Sequence, residues 1–170
     1  MRRLPGLIVA LSAVLLAGTR PGLAQSPWRV SVRSEQFELA LSVPRAEYAA
    51  GETVSVAMSL RNVAPGPVTF MPAAVRLFDF AVYDAAGRHL GTSTGGNFPL
   101  ALPRPLTLQA GEAIEETLAW DLTLPGPDGR RPLPLGRYAL EGFLLGSRDQ
   151  PGGWVFPRPV VTPRLSITVH

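Results

Sequence analysis

The sequence predicts an all-β protein, an antiparallel β-sandwich of seven to eight strands. Three observations predict it. Apolar side chains recur at every second position in several short runs, the period that puts them on one face of a strand. Turns rich in Pro, Gly and Asp separate the runs, with 17 Gly and 18 Pro in 170 residues. No window sustains a 3.6-residue period, and proline interrupts every stretch long enough for a helix.

The chain opens on a different signal. Met1-Arg2-Arg3 is basic, residues 7–17 (LIVALSAVLLA) are apolar except for Ser12, and Gly22 and Ala24 put small residues at the −3 and −1 positions before Gln25. That combination reads as a cleaved secretory signal over residues 1–24. The apolar run is well short of the roughly 20 residues that span a bilayer, although an uncleaved anchor is the alternative. The Arg2-Arg3 pair leaves the export route open. Residues 25–170 are then one β-sandwich domain, expected to be periplasmic or extracellular and without stable membrane insertion after cleavage.

Within that domain, Phe37, Leu39, Leu41 and Val43 form the first alternating run, ended by Pro44. A turn at Tyr48-Ala49-Ala50-Gly51-Glu52 leads to the cleanest strand, Val54, Val56, Met58 and Leu60. Arg61-Asn62 leaves that strand, and residues 64–67 turn the chain. Residues 68–70 make a short strand closed by Pro72. Phe78, Phe80 and Val82 alternate next, and Asp84-Ala85-Ala86-Gly87 turns the chain into a return strand at residues 88–91. Leu108-Gln109-Ala110-Gly111-Glu112 is another turn. Ile114, Leu118, Trp120 and Leu122 then share a face with Glu116, which must sit near a sheet edge or meet an arginine. Residues 125–134 are expected as a loop. Tyr138, Leu140 and Leu144 mark the next strand, with Gly142 between them, and Leu165, Ile167 and Val169 mark the last. Gly136-x-Tyr138 fits a tyrosine corner or a plain core tyrosine.

Composition narrows the chemistry. All 16 basic residues are arginine and there is no cysteine. Disulfides, thiolate metal sites, thiol nucleophiles and Schiff-base lysines are therefore excluded. Residues 25–170 carry 13 arginines against 13 acids, so no basic surface for nucleic acid is expected. No phosphate loop, dinucleotide fingerprint, nucleophile elbow or H-E-x-x-H motif is present. His89 is the one internal histidine, and Ser93 is its only near serine on the same strand face. Glu115 and Glu116 face opposite sides of a strand and cannot act as a pair. Asp84 and Asp128 read as turn residues. No catalytic residue, cofactor or metal site is expected, and the chain is expected not to be an enzyme.

Two proline-rich segments stand apart. Residues 97–105 carry Phe98, Pro99, Leu102, Pro103 and Arg104, whose prolines favour an extended backbone. Residues 151–159 carry Trp154 and Phe156, aromatics of the kind that anchor partners. Each either contacts a partner or covers an open part of the sandwich.

With the strands placed, the chain resembles the BsuPI-type intracellular proteinase inhibitor family. The residues that carry the resemblance are Leu60-x-Asn62, Phe70, Phe78-Asp79-Phe80-x-Val82-x-Asp84-x-x-Gly87, Ser93, Phe98, Leu108-x-x-Gly111-Glu112, Trp120 and Gly136-x-Tyr138-x-Leu140. They stretch over roughly residues 39–169. The resemblance implies an immunoglobulin-like sandwich that binds and blocks a proteinase. The family name describes a cytoplasmic inhibitor, whereas this chain opens with an export-like segment. The expectation is thus an exported, non-enzymatic protein-binding sandwich, with a proteinase as the implied partner. The alternative is a structural or interaction module of the cell envelope, binding another protein by loops or strand addition.

Overall fold

The structure is a computed structural model that describes residues 28–72, 76–96, 105–145 and 160–170. Among these the chain forms thirteen strands and no helix: β1 (Trp28–Arg33), β2 (Phe37–Val43), β3 (Glu47–Tyr48), β4 (Val54–Asn62), β5 (Val68–Phe70), β6 (Phe78–Asp84), β7 (His89–Thr92), β8 (Leu106–Leu108), β9 (Ala113–Trp120), β10 (Thr123–Gly126), β11 (Gly129–Pro132), β12 (Gly136–Leu144) and β13 (Leu165–Val169). One sheet runs β1-β2-β4-β9, antiparallel throughout. The other runs β3-β13-β12-β6-β7, antiparallel except for the two-residue parallel pair of β13 with β3. Two ribbons, β5-β8 and β10-β11, flank them.

The alternating runs become the two inner faces. Phe37, Leu39, Leu41, Val54, Val56, Met58 and Leu60 face Phe78, Phe80, Val82, Leu140, Ile167 and Val169 in one continuous buried cluster. This is the all-β sandwich expected from period two, of the immunoglobulin-like kind that the resemblance implies. Trp120 meets Phe80 edge-on at 5.1 Å, and Phe37 meets Phe70 edge-on at 5.6 Å. The layers pack tightly at Gly142. A Cβ there would lie 2.6 Å from Met58 Cε and 3.0 Å from Leu41 Cδ1, so a side chain at this position would force its neighbours to shift.

Several local features follow from single residues. The Tyr138 hydroxyl donates to Pro134 O at 2.7 Å, four residues upstream, which resolves the tyrosine as a corner residue. The two A-G-E turns have one geometry. Glu52 N donates to Ala49 O and Ala49 N to Glu52 Oε2; Glu112 N donates to Gln109 O and Gln109 N to Glu112 Oε2. Gly51 and Gly111 both take φ of 78°, which a side chain disfavours. Glu116 lies on edge strand β9, as expected, but its partner is not an arginine. Its Oε1 accepts the Leu77 backbone N–H at 3.1 Å.

The structure goes beyond the sequence reading in three places. Residues 125–134 were expected as a loop, yet β10 and β11 form a hairpin there, closed by Gly129 at φ 113°. Residues 28–33 form an edge strand, carried by the alternation of Trp28, Val30 and Val32 with Arg29, Ser31 and Arg33. β6 is buried on both faces. Ala81 and Tyr83 on its outer side join Phe143 and Leu145 in a second apolar cluster.

Candidate functional site

Phe98, Pro99, Leu102, Pro103, Arg104, Trp154 and Phe156 lie outside the described residues. The residues that lead into and out of both segments are placed, and they converge. β6 begins at Phe78, which is paired with Leu144 near the close of β12. Thr94, on the way to residues 97–104, bonds to Asp79 at this end. Leu145 N donates to Leu77 O as the chain leaves for residues 146–159, and Val161 bridges back to Phe143 on its return. On the far side of residues 97–104, Leu106 pairs with Phe70, two residues before Pro72 and the approach to β6. Both proline-rich segments therefore spring from one end of the sandwich.

Their roots are held by buried polar bonds. Asp79 sits between Phe78 and Phe80 and is fully buried on the outer side of β6. Its Oδ1 accepts Phe80 N at 2.8 Å and Ser93 Oγ at 2.5 Å, and its Oδ2 accepts Thr94 Oγ1 at 2.6 Å. A carboxylate out of water needs such donors, and here the donors are the residues that lead into the first segment. Arg130 closes the same root from the β10-β11 hairpin. Its Nη1 donates to Ser93 O at 3.2 Å, its Nε to Thr123 Oγ1 at 2.5 Å and its Nη2 to Thr123 O at 3.0 Å. Gly95, at φ 68°, passes so close to Pro125 that a Cβ would lie 2.7 Å from the ring. The second segment returns through Thr162, which is buried. Thr162 N donates to Gly142 O at 2.8 Å, and Thr162 Oγ1 accepts Gly142 N at 2.9 Å.

The candidate reactive residues are not brought together. Ser93 bonds to Asp79, while His89 is exposed and meets the Tyr83 ring edge-on at 5.3 Å. Tyr83 itself is clamped: its hydroxyl donates to Glu141 Oε1 at 3.0 Å and the Arg164 guanidinium lies 3.7 Å over its ring. Glu115 is exposed, and Glu116 holds Leu77 N. Asp84 serves its turn, accepting Ala86 N and Arg88 N, and those donors hold its carboxyl below the usual range. The Thr123 hydroxyl and the Arg130 charge do the same for Asp121. Burial pushes the Tyr48 and Tyr138 hydroxyls up. No group of three or more His, Asp or Glu that could hold a metal occurs among the described residues. An open groove of about 230 Å³ lies on the outer face of the β1-β2-β4-β9 sheet, lined by Arg29, Glu38, Ser59, Arg61, Gly111, Ala113 and Glu115. Its charges are of both signs, with Arg29 Nη2 3.9 Å from Glu38 Oε1.

Sequence reasoning missed Asp79 as the anchor of the residues that lead into the first segment. The available signal was an aspartate inside an otherwise apolar strand, with two hydroxyl residues directly after the return strand.

No protein-family model matches the sequence, and no curated protein matches it. Among solved structures, the chain is similar to the C-terminal domain of Wzt, at 11% identity and a TM-score of 0.47, covering 89% of this chain and 83% of that one. It is also similar to the CARDB domain of a Pyrococcus furiosus protein, at 13% identity and a TM-score of 0.40, covering 81% and 97%. Part of a β-glucosidase from Listeria innocua is similar as well, at 15% identity and a TM-score of 0.42. The match covers 79% of this chain but only 16% of the glucosidase.

Proposed function

We propose that the protein is an exported, non-enzymatic β-sandwich that binds another protein through the loop end, and that its partner is a proteinase which it blocks. One observation carries the reading: two proline-rich, aromatic-bearing segments leave the same end of the sandwich from roots fixed by Asp79, Arg130 and Thr162. A loop that enters a cleft and resists cleavage must be held at its base, and a proline-restricted backbone loses less entropy on binding. The resemblance to the BsuPI-type inhibitors supplies the partner class, and the export-like start supplies the compartment. Asp79, Ser93, Thr94 and Thr162 are engaged in hydrogen bonds that hold the roots of these segments, which favours a binding role over a catalytic one.

The test is direct. The purified chain at micromolar concentration inhibits at least one co-secreted serine, metallo- or cysteine proteinase. Replacing Phe98, Trp154 and Phe156 by alanine weakens inhibition by at least about tenfold, the loss expected for an aromatic anchor. Inhibition of none of the three classes removes the proteinase assignment. Inhibition untouched by the three substitutions removes the loop end as the contact.

A further inference from the structure

Among the described residues no strand pairs with the outer edge of β1 or of β9 in the β1-β2-β4-β9 sheet, and the two edges carry complementary charge. Gly111 N donates to Asn62 O and Asn62 N to Glu112 O, so the backbone groups of Asn62 point toward β9. Following that alternation through the register, the backbone groups of Arg29, Ser31 and Arg33 point away from the sheet on β1. Those of Ala113, Glu115, Thr117 and Ala119 point away from it on β9. All seven residues are exposed. Neither Arg33 nor Glu115 has a hydrogen bond or ion pair among the described residues.

The geometry points to head-to-tail association of this chain with further copies of itself, β1 of one copy adding to β9 of the next. Every neighbouring pair in the sheet is antiparallel, so β1 and β9 run in opposite directions. A second copy in the same orientation, set beside the first, then presents its β1 antiparallel to β9. In one register Arg33 stands opposite Glu115, Ser31 opposite Thr117 and Arg29 opposite Ala119, with the charged pair on the same outer face. A two-fold pairing of β1 with its own copy is disfavoured: about Ser31 it sets Arg29 opposite Arg33 in both directions, and like charges directly opposite repel. A β1-to-β9 contact is heterologous, so it extends into open chains unless its rotation closes a ring. It uses strand-edge residues rather than residues 97–105 and 151–159, so it does not rest on the proposed function.

Analytical ultracentrifugation of the purified chain over a wide concentration range tests it. Species larger than a dimer are expected to grow with concentration. Arg33→Glu and Glu115→Arg are each expected to weaken association by about tenfold, and the double swap R33E/E115R to restore it. Circular dichroism and the thermal midpoint of each variant check folding; both residues are exposed, so both variants should fold. A chain that stays monomeric throughout, one that stops at a dimer, or single swaps that leave association unchanged each overturn the proposal. A double swap no better than the single ones does so as well.

Discussion

Asp79 shows how one residue can matter more than its sequence context suggests. It is a carboxylate inside a strand whose neighbours are aromatic, and its three donors include both hydroxyls that start the first proline-rich segment. Asp79→Ala leaves Phe80 N, Ser93 Oγ and Thr94 Oγ1 without their acceptor. Urea unfolding should report a loss of about 3 kcal/mol, and Asp79→Asn, which keeps an acceptor oxygen, a clearly smaller one. Equal losses for the two variants would argue that the site needs only charge. The residue was hidden in the sequence because period-two reasoning assigns alternate positions to solvent. β6 is buried on both sides, and burial of the second face depends on how other parts of the chain cover it. Asp84 was legible for the opposite reason. Its role is local, set by donors two and four residues away.

Among the elements, the glycines separate two kinds of constraint. Gly142 takes an ordinary backbone conformation but has no space beyond it, with Met58 and Leu41 against it from the other sheet. Gly51 has open space but a φ of 78°. Gly142→Ala should cost about 1–3 kcal/mol by overpacking, and a companion Met58→Ala should recover part of that loss. Gly51→Ala should cost about 1–2 kcal/mol through backbone strain alone, with no such recovery. Chemical denaturation of G142A, M58A, the double variant G142A/M58A and G51A distinguishes the two. The turns and most inner strands could be read from the sequence because each is decided by a few adjacent residues. The β10-β11 hairpin could not. Pro125 and Pro132 argue against strand there, yet β10-β11 is a separate two-stranded ribbon with nothing paired beyond it, so proline can be accommodated.

For the whole molecule, stability rests on the shared core and on carboxylates that gain donors on folding. The Glu52, Asp84 and Asp121 carboxyls are all held below their ordinary range, chiefly by the Ala49 N–H, the Arg88 N–H and the Thr123 hydroxyl respectively. A carboxyl lowered in the folded state adds stability above its unfolded pKa and loses it as pH falls through the folded value. Stability should therefore be nearly flat from about pH 7 to 5 and fall below about pH 4. Asp84→Asn should make that acid limb shallower while leaving the slope near neutrality unchanged; thermal melts across the range measure both. At this scale the sequence disclosed the sandwich, since two apolar faces are a local pattern; residues 97–104 and 151–159 lie outside the described residues. It did not disclose that the segments share one end, which depends on strand order: β6, β12 and the Val161 bridge must be neighbours for the roots to meet.

The most direct measurement of the loop-end account is hydrogen exchange on the chain alone and in complex with a proteinase that it inhibits. The account predicts slowed exchange in residues 97–105 and 151–159, with the outer face of the β1-β2-β4-β9 sheet unchanged. Protection confined to that outer face, with both segments exchanging as in the free chain, would contradict it.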